Sequence, residues 1–171
     1  EVMISDASKS WRNAHREGLE HSLGAAPFFD DAARLWSQGV SGPGTHLSVL
    51  NSRLISGICE YLRIGTPIVS SRAYDARGTK TARLIDLLRK LGATSYLSGP
   101  TAKRYLDEKM FRDAGIGLAY KSFDYPEYPQ QWGAFAGTVT VLDLIANTGP
   151  AAREYLRSRT PDEIVLPPVS A

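Results

Sequence analysis

The fold is decided near the middle of the chain by the stretch Thr94-Ser95-Tyr96-Leu97-Ser98-Gly99-Pro100-Thr101. Thr94–Leu97 has the composition of a strand, and Ser98–Pro100 is a turn that opens a helix. A strand that passes through a short turn into a helix is the repeating step of α/β proteins. The stretch therefore predicts a sheet with a polar turn at the carboxyl end of one strand.

The same alternation extends to both sides of this stretch. Apolar residues recur at helical spacing before and after it, and further runs of strand composition lie beyond those helices. The predicted order is the strand Pro67–Ser70, the helix Thr79–Leu91, the strand Thr94–Leu97, one helix or two helical pieces from Pro100 to about Phe111, and the strand Ile116–Phe123. This βαβαβ order predicts an α/β fold with a parallel sheet flanked by helices and joined by right-handed crossovers.

The first third of the chain is predicted to be helical. Its three helices are one capped by Asp6 or Ser8 and running to about Leu23, one beginning at Pro27, and one over Leu47–Leu62 that Gly65 ends. Two short helices, Val139–Ala146 and Ala151–Ser158, follow the sheet. We predict one α/β domain over residues 1–160 and a loose, Pro-rich tail over 161–171.

Composition narrows the function classes. The 20 basic and 18 acidic residues give a net charge of +2, too balanced to indicate nucleic-acid binding through the field alone. A single cysteine, Cys59, excludes an internal disulfide and any multi-cysteine metal site. No apolar run approaches a membrane span, and the start has no signal-peptide pattern. These features predict a cytoplasmic protein that does not enter the membrane.

The turn after the central strand is a candidate anion site. Ligands of open parallel sheets bind at the carboxyl ends of strands, and a helix N-terminus suits phosphate or carboxylate. Ser98 and Gly99 would approach the anion with their backbone, and Lys103 would add charge. Tyr105 would contact the ligand or cover the core. Asp107 would bind substrate or cap the next helical turn, and the whole turn could equally be a plain helix cap.

A second candidate region is the loop Tyr125-Pro126-Glu127-Tyr128-Pro129-Gln130-Gln131-Trp132-Gly133. Its prolines exclude a helix and stiffen the loop, so Tyr128 and Gln130 are candidates for ligand contact. The alternative is a loop that covers a core edge.

Asp143 stands alone in an apolar run and would need partners if buried. Asn147 would be a helix C-cap or a polar pocket contact.

His15 is the candidate histidine for acid–base chemistry, because both of its charge states are accessible near neutral pH. The three histidines have no zinc-ligand spacing, and no metal or bound cofactor is implied. His15 could also be an ordinary surface or packed residue.

Together these motifs resemble the WbqC-like protein family. The resemblance covers about residues 2–154 and lies in Trp11-Arg12-x-x-His15, Tyr96–Pro100, Tyr105-Leu106-Asp107, Tyr128-Pro129-Gln130, Val141-Leu142-Asp143-Leu144 and Asn147-x-Gly149-Pro150. The family is associated with bacterial O-antigen and other surface-polysaccharide gene clusters. The resemblance implies an acyl or aminoacyl transferase that acts on an amino sugar or similar small acceptor, possible in specialised metabolism as well. His15 or Asp143 would be its base, and a nucleotide-activated sugar is one possible substrate.

The chain also departs from the family. The family's N-terminal motif segment has no counterpart here, so we expect a segment upstream of Glu1 or one supplied by a partner chain or a second copy. Thr148 stands where the family has cysteine, which removes a thioester mechanism at that position.

Two other functions stay open. The chain could be a non-catalytic interaction module, or a subunit completed by a partner. It could also be a tRNA-dependent transferase, because a group of basic residues could form a weak basic face. The same residues could instead belong to a solvated helix surface; they are Arg53, Arg63, Arg72, Arg77, Lys80 and Arg83.

Overall fold

A computed structural model of the 171-residue chain describes residues 2–4, 10–41 and 46–168. The chain divides into two compact units. Unit 1 contains residues 1–67 and 125–157, and unit 2 contains residues 68–124 and 158–171. Each unit has its own buried apolar cluster. Asp6 and Ser8, the predicted caps of the first helix, lie outside the described residues.

Apart from an isolated antiparallel bridge between Met3 and His46, the regular elements among the described residues of unit 1 are helices. Its elements are α1 (Ser10–Leu23), α2 (Phe29–Ser41), α3 (Leu47–Tyr61), α6 (Val141–Thr148) and a 3-10 helix over Gly149–Leu156. The centre of its core consists of residues that are completely buried, among them Ala32, Ile145, Ala146 and Ala152. The helical N-terminal third is therefore confirmed, and α6 belongs to the same packed unit.

The end of α3 differs from the prediction. Ile64 N donates to Cys59 O at 2.8 Å and Arg63 N donates to Glu60 O at 3.0 Å, which together form a Schellman motif. The left-handed residue of this motif is Arg63, with φ +54°, and not a glycine. Gly65 was expected to end the helix, but the chain has already turned away two residues earlier.

Unit 2 contains the sheet. Its elements are a 3-10 helix (Ser71–Tyr74), α4 (Lys80–Lys90), β1 (Ser95–Ser98), a 3-10 helix (Pro100–Arg104), α5 (Glu108–Ala114), β2 (Gly117–Tyr120) and β3 (Glu163–Leu166). The strand order is β1-β2-β3. β1 and β2 are parallel, with Ser95 opposite Gly117 and Ser98 opposite Tyr120. Leu118 and Tyr120, on the central strand, are 1% exposed.

Two details of the predicted sheet are wrong. Pro67–Ser70 is not a strand, because Ile68 and Val69 are 52% and 57% exposed and pair with no described strand. The third strand is instead β3, which lies in the predicted loose tail and pairs antiparallel with β2. Its β-branched Ile164 and Val165 favour a strand, and an edge position tolerates the prolines that flank it. The sheet is therefore small and mixed, while the α/β class is confirmed.

Close packing fixes the start of β2. A Cβ atom at Gly117 would lie 2.8 Å from both Cα and N of Pro168, just beyond β3. Only glycine lets the two segments approach this closely.

The assignment of residues 1–160 to a single domain stays a prediction.

Candidate functional site

The proline-rich loop is held on unit 1 by side-chain hydrogen bonds. Trp132 Nε1 donates to Ser22 O at 2.8 Å, which ties the loop to the end of α1. Gln130 closes the loop on itself, since its Oε1 accepts from Ala136 N at 2.8 Å and its Nε2 donates to Ala136 O at 3.0 Å. These bonds anchor the loop at Gln130 and at Trp132.

Four of the predicted site residues come together where this loop meets the start of α6. We call Tyr128, Gln130, Asp143 and Asn147 the Asp143 cluster. The side chains of Tyr128 and Gln130 lie together, because Gln130 Nε2 donates to Tyr128 Oη at 3.1 Å. Asp143 and Asn147 share a helix face because they are four apart in α6.

Three donors converge on one oxygen of the Asp143 carboxylate. Tyr128 Oη donates to Asp143 Oδ1 at 2.7 Å, Gln130 Nε2 at 3.1 Å and Asn147 Nδ2 at 3.3 Å. Asp143 is half-buried, and its Oδ2 accepts no hydrogen bond from a described residue. The arrangement orients the carboxylate through Oδ1, and binding of a ligand by Asp143 remains a prediction.

The Tyr128 hydroxyl is fixed as a donor in this cluster. Burial, followed by the hydrogen bond to Asp143, raises the pKa of Tyr128 to about 12. Its ring packs edge-on against Phe135 at 5.2 Å and Tyr155 at 5.7 Å between centroids. At neutral pH the hydroxyl therefore keeps its proton and directs it to the carboxylate.

Asn147 serves the cluster rather than ending the helix. It is 8% exposed, and its Nδ2 also donates to Asp143 O at 2.9 Å. Its Oδ1 accepts from Gln131 Nε2 at 3.4 Å. The predicted C-cap role is wrong, because α6 continues through Thr148 and its C-cap is Gly149, with φ +55°.

His15 lies outside this cluster. It is exposed on α1, where its ring lies 5.5 Å from both Trp11 and Trp36 between centroids. No hydrogen bond joins it to Asp143 within the part of the chain that the structure describes. A catalytic role for His15 stays a prediction.

The predicted anion turn lies in unit 2 and is built differently from a phosphate-binding helix start. Gly99 caps a 3-10 helix of 5 residues, too short to carry the dipole of a full helix. Lys103 Nζ is paired with Glu163 on β3 and lies 5.2 Å from the ring centroid of Tyr120. Ser98 O accepts from Lys121 N at 2.7 Å. The Lys103 charge is thus already partnered, and anion binding by Ser98, Gly99 and Lys103 remains a prediction.

The remaining predicted residues of this region have different surroundings. Tyr105 is 69% exposed. Asp107 caps α5, with its Oδ1 accepting from Met110 N at 3.2 Å, as its capping interpretation predicts. Substrate binding by Tyr105 and Asp107 remains a prediction.

A cavity that the sequence did not predict lies in unit 1. Its volume is about 910 Å³. It lies between the end of α3 and the 3-10 helix Gly149–Leu156, and it is lined by Tyr61, Leu62, Arg63, Ile64, Pro150, Arg153, Glu154, Leu156 and Arg157. None of the predicted site residues lines it. The sequence signal for this cavity was three arginines in two short segments, Arg63 in one and Arg153 and Arg157 in the other.

The described residues also bear on the membrane and on nucleic acid. None of the helices they form combines the length and the apolarity that crossing a bilayer requires. Of the basic residues considered for tRNA, Arg53 and Arg63 lie in unit 1, while the other four lie in unit 2.

Comparison with known proteins gives the following relationships. Residues 1–155 match the profile of the WbqC-like protein family. Over 150 residues the chain is 39% identical to Rv1507c, an uncharacterized protein of Mycobacterium tuberculosis, and the match covers 86% of this chain and 64% of that protein. The chain therefore spans somewhat less than two thirds of this curated relative. No solved structure matches.

Proposed function

Because the chain belongs to the WbqC-like protein family, we propose that it carries out group transfer to an amine, moving an acyl or aminoacyl group onto an amino sugar or a similar small acceptor. The observation that carries the proposal is the Asp143 carboxylate, with three donors on Oδ1 and Oδ2 left open. This is how a protein presents one oxygen of a carboxylate to a cationic or proton-releasing group.

The proposed step uses Asp143 as the general base. The acceptor amine attacks the carbonyl carbon of an activated acyl donor, such as a thioester or an ester. A C–N bond forms, Asp143 Oδ2 takes the proton from nitrogen, and the bond to the donor's leaving group breaks with its electron pair. Tyr128, Gln130 and Asn147 hold the carboxylate in position, and the exposed loop around them would shape the acceptor site.

The test is a transfer assay on the full chain, read by product mass. A panel of acyl thioesters and aminoacyl esters would be paired with amino sugars and with their N-acetylated counterparts, which have no free amine. We expect products from the free amines alone, and we expect Asp143→Asn to lower turnover by about 10²–10⁴-fold.

Asp113→Asn is the matched control, because Asp113 pairs with Lys109 on the exposed face of α5 at 2.6 Å and does not belong to the cluster. It should leave turnover unchanged. Full activity in Asp143→Asn would remove Asp143 from the mechanism, and a parallel series at His15 would then decide whether that residue is the base.

An interaction module is the second candidate, favoured by the open edges of the sheet. β1 pairs with β2 alone among the described strands, and Leu97 on β1 is 51% exposed. An unpaired, partly apolar edge strand is a template for strand addition. Under this alternative Leu97→Lys would abolish self-association or partner binding in light scattering, while Asp143→Asn would have no effect.

A further inference from the structure

The residues that line the cavity of unit 1 carry a net positive charge. Three of its lining residues are arginines, Arg63, Arg153 and Arg157, against one acid, Glu154. All four are exposed, and no described residue forms an ion pair with them. Three guanidinium groups around one space repel each other, so the arrangement is better satisfied with an anion between them.

Arg63 reaches the cavity at a conformational cost. It occupies the left-handed position of the Schellman motif, where glycine is the usual residue. A side chain in that conformation is disfavoured, and such outliers concentrate at sites of function. The motif itself would form as well or better with glycine, so the Arg63 side chain is not needed to end α3.

Arg153 is oriented toward the same place. Its Nη1 donates to Arg63 O at 3.0 Å, which uses one of its five N–H donors and holds the guanidinium beside the end of α3. The remaining donors keep the planar fork that matches phosphate oxygens in pairs. A point charge such as lysine would not reproduce this geometry.

The rest of the lining is apolar or aromatic. Leu62 is 3% exposed, and Ile64 and Leu156 are half-buried beside it. The Tyr61 hydroxyl donates to Asp31 Oδ2 at 2.8 Å, so it is already hydrogen-bonded within the protein. A ligand that fits must combine an anionic part with a flat or apolar part.

We propose that this cavity is a binding site for a phosphate-bearing small molecule of the nucleoside diphosphate class. Two positive charges in excess match a diphosphate better than a single carboxylate, and the three arginines supply more donors than one carboxylate can accept. A volume of about 910 Å³ is large enough for a nucleotide. The proposal does not depend on the Asp143 cluster, since none of the lining residues belongs to that cluster.

The test is isothermal titration calorimetry of the full chain at fixed ionic strength with three probes: inorganic pyrophosphate, uridine diphosphate and uridine. Pyrophosphate should bind and uridine should not, because the arginines recognise the phosphates. Tighter binding of uridine diphosphate than of pyrophosphate supports a nucleotide ligand. Equal binding of the two identifies a diphosphate site that does not read the nucleoside, which overturns the nucleoside part of the proposal.

Variants locate the site. Arg153→Ala and Arg153→Lys should each weaken pyrophosphate binding at least tenfold, since lysine keeps the charge but loses the fork. Glu154→Gln should tighten binding several-fold, because it removes a negative charge from the cavity. General damage to the fold would not strengthen binding, so this opposite sign separates a local effect from unfolding. Arg16→Ala, an exposed arginine of α1 that does not line the cavity, is the matched control.

Arg63→Gly separates ligand binding from stability. The melting temperature should stay equal or rise, because glycine suits the left-handed position, while the dissociation constant for pyrophosphate rises at least tenfold. Lys80→Gly is its control: Lys80 is also basic with positive φ (+48°), but it lies in unit 2. It should leave binding unchanged.

Two results would overturn the proposal. One is no binding of pyrophosphate or uridine diphosphate at millimolar concentration. The other is binding that survives Arg63→Gly and Arg153→Ala but is lost in Lys103→Ala, which would assign the anion to the turn after β1.

Discussion

Two tyrosine hydroxyls of unit 1 donate to carboxylates, Tyr128 to Asp143 and Tyr61 to Asp31. Both tyrosines have their pKa raised to about 12, first by burial and then by the hydrogen bond to the carboxylate. Each carboxylate is thereby held in one orientation by a neighbour that does not titrate near neutral pH. For Asp143 this matters to the proposed function, because the orientation of the carboxylate decides which oxygen would face a ligand.

The raised pKa of Tyr128 predicts a pH dependence of stability. The folded state holds this proton more tightly than the unfolded state, whose tyrosine pKa is about 10. The contribution is therefore fully present below about pH 10 and is lost as the pH rises through about 12. Alkaline titration followed by tyrosinate absorbance should show Tyr128 ionising late.

Asp143→Asn tests the cause of that shift. It removes the charge while keeping an acceptor, so the pKa of Tyr128 should fall from about 12 but stay above its usual value, because burial is the larger cause. Tyr128→Phe identifies which transition belongs to this residue. A Tyr128 transition that does not move in Asp143→Asn would contradict the contact between the two side chains.

The residue scale also shows what spacing can and cannot predict. Asp143 lies inside the predicted helix Val139–Ala146, but Asn147 was expected just beyond it. Their shared face follows only from the observed continuation of α6 through Thr148. Tyr128 and Gln130 were candidates from their rigid loop. The hydrogen bonds from Tyr128 and Gln130 to Asp143 are tertiary contacts between the loop and α6, and no local sequence pattern specifies them.

At the scale of elements, the packing of α2 on α3 depends on a glycine. A Cβ atom at Gly39 would lie 2.2 Å from Cδ2 and 2.6 Å from Cγ of Leu54, so the two helices meet there without room for a side chain. At Gly57 on α3 the nearest atom, Leu35 Cδ2, is 3.9 Å from such a Cβ, which is ordinary contact.

These two glycines predict opposite effects of the same substitution. Gly39→Ala should destabilise the protein by about 1–3 kcal/mol through overpacking. Gly57→Ala should stabilise it by about 0.5–1 kcal/mol, because alanine favours the helix and meets no obstacle. Chemical denaturation measures both. Equal effects of the two substitutions would contradict this packing of α2 and α3.

The strands show where local sequence is a weaker guide than tertiary context. β1 and β2 were predicted within one residue or a few, because each follows a well-marked helix. Pro67–Ser70 and Glu163–Leu166 are both short, β-branched segments next to proline, and local propensity does not distinguish them. The second segment pairs with the central strand and the first does not, and that difference is decided by a partner distant in sequence.

At the scale of the whole molecule, unit 2 consists of two segments of the chain that are separated in sequence by a segment of unit 1. The chain leaves unit 2 after Asp124, forms the proline-rich loop and α6 in unit 1, and returns at Ser158 to add β3. The α/β class followed from the alternating helices and strands of the middle of the chain. The pairing of the tail with the sheet could not be predicted in the same way. The 33 residues 125–157 separate it from the rest of unit 2, and no local pattern spans that distance.

Separate cores predict separate responses to core substitutions. Ile145 in unit 1 and Phe111 in unit 2 are both completely buried. Ile145→Ala should cost about 2–5 kcal/mol and Phe111→Ala about 3–5 kcal/mol. In hydrogen exchange each should raise the rate mainly in its own unit. Uniform acceleration across both units would instead support the single domain predicted over residues 1–160.

The central claim, that Asp143 Oδ2 receives an acceptor amine, is tested most directly by calorimetric binding of glucosamine and N-acetylglucosamine to the wild type and to Asp143→Asn. The wild type should prefer glucosamine by about tenfold or more, because only its amine can pair with the carboxylate. Asp143→Asn should lose this preference while Asp113→Asn keeps it. A preference that persists in Asp143→Asn, or no preference in the wild type, would contradict the account.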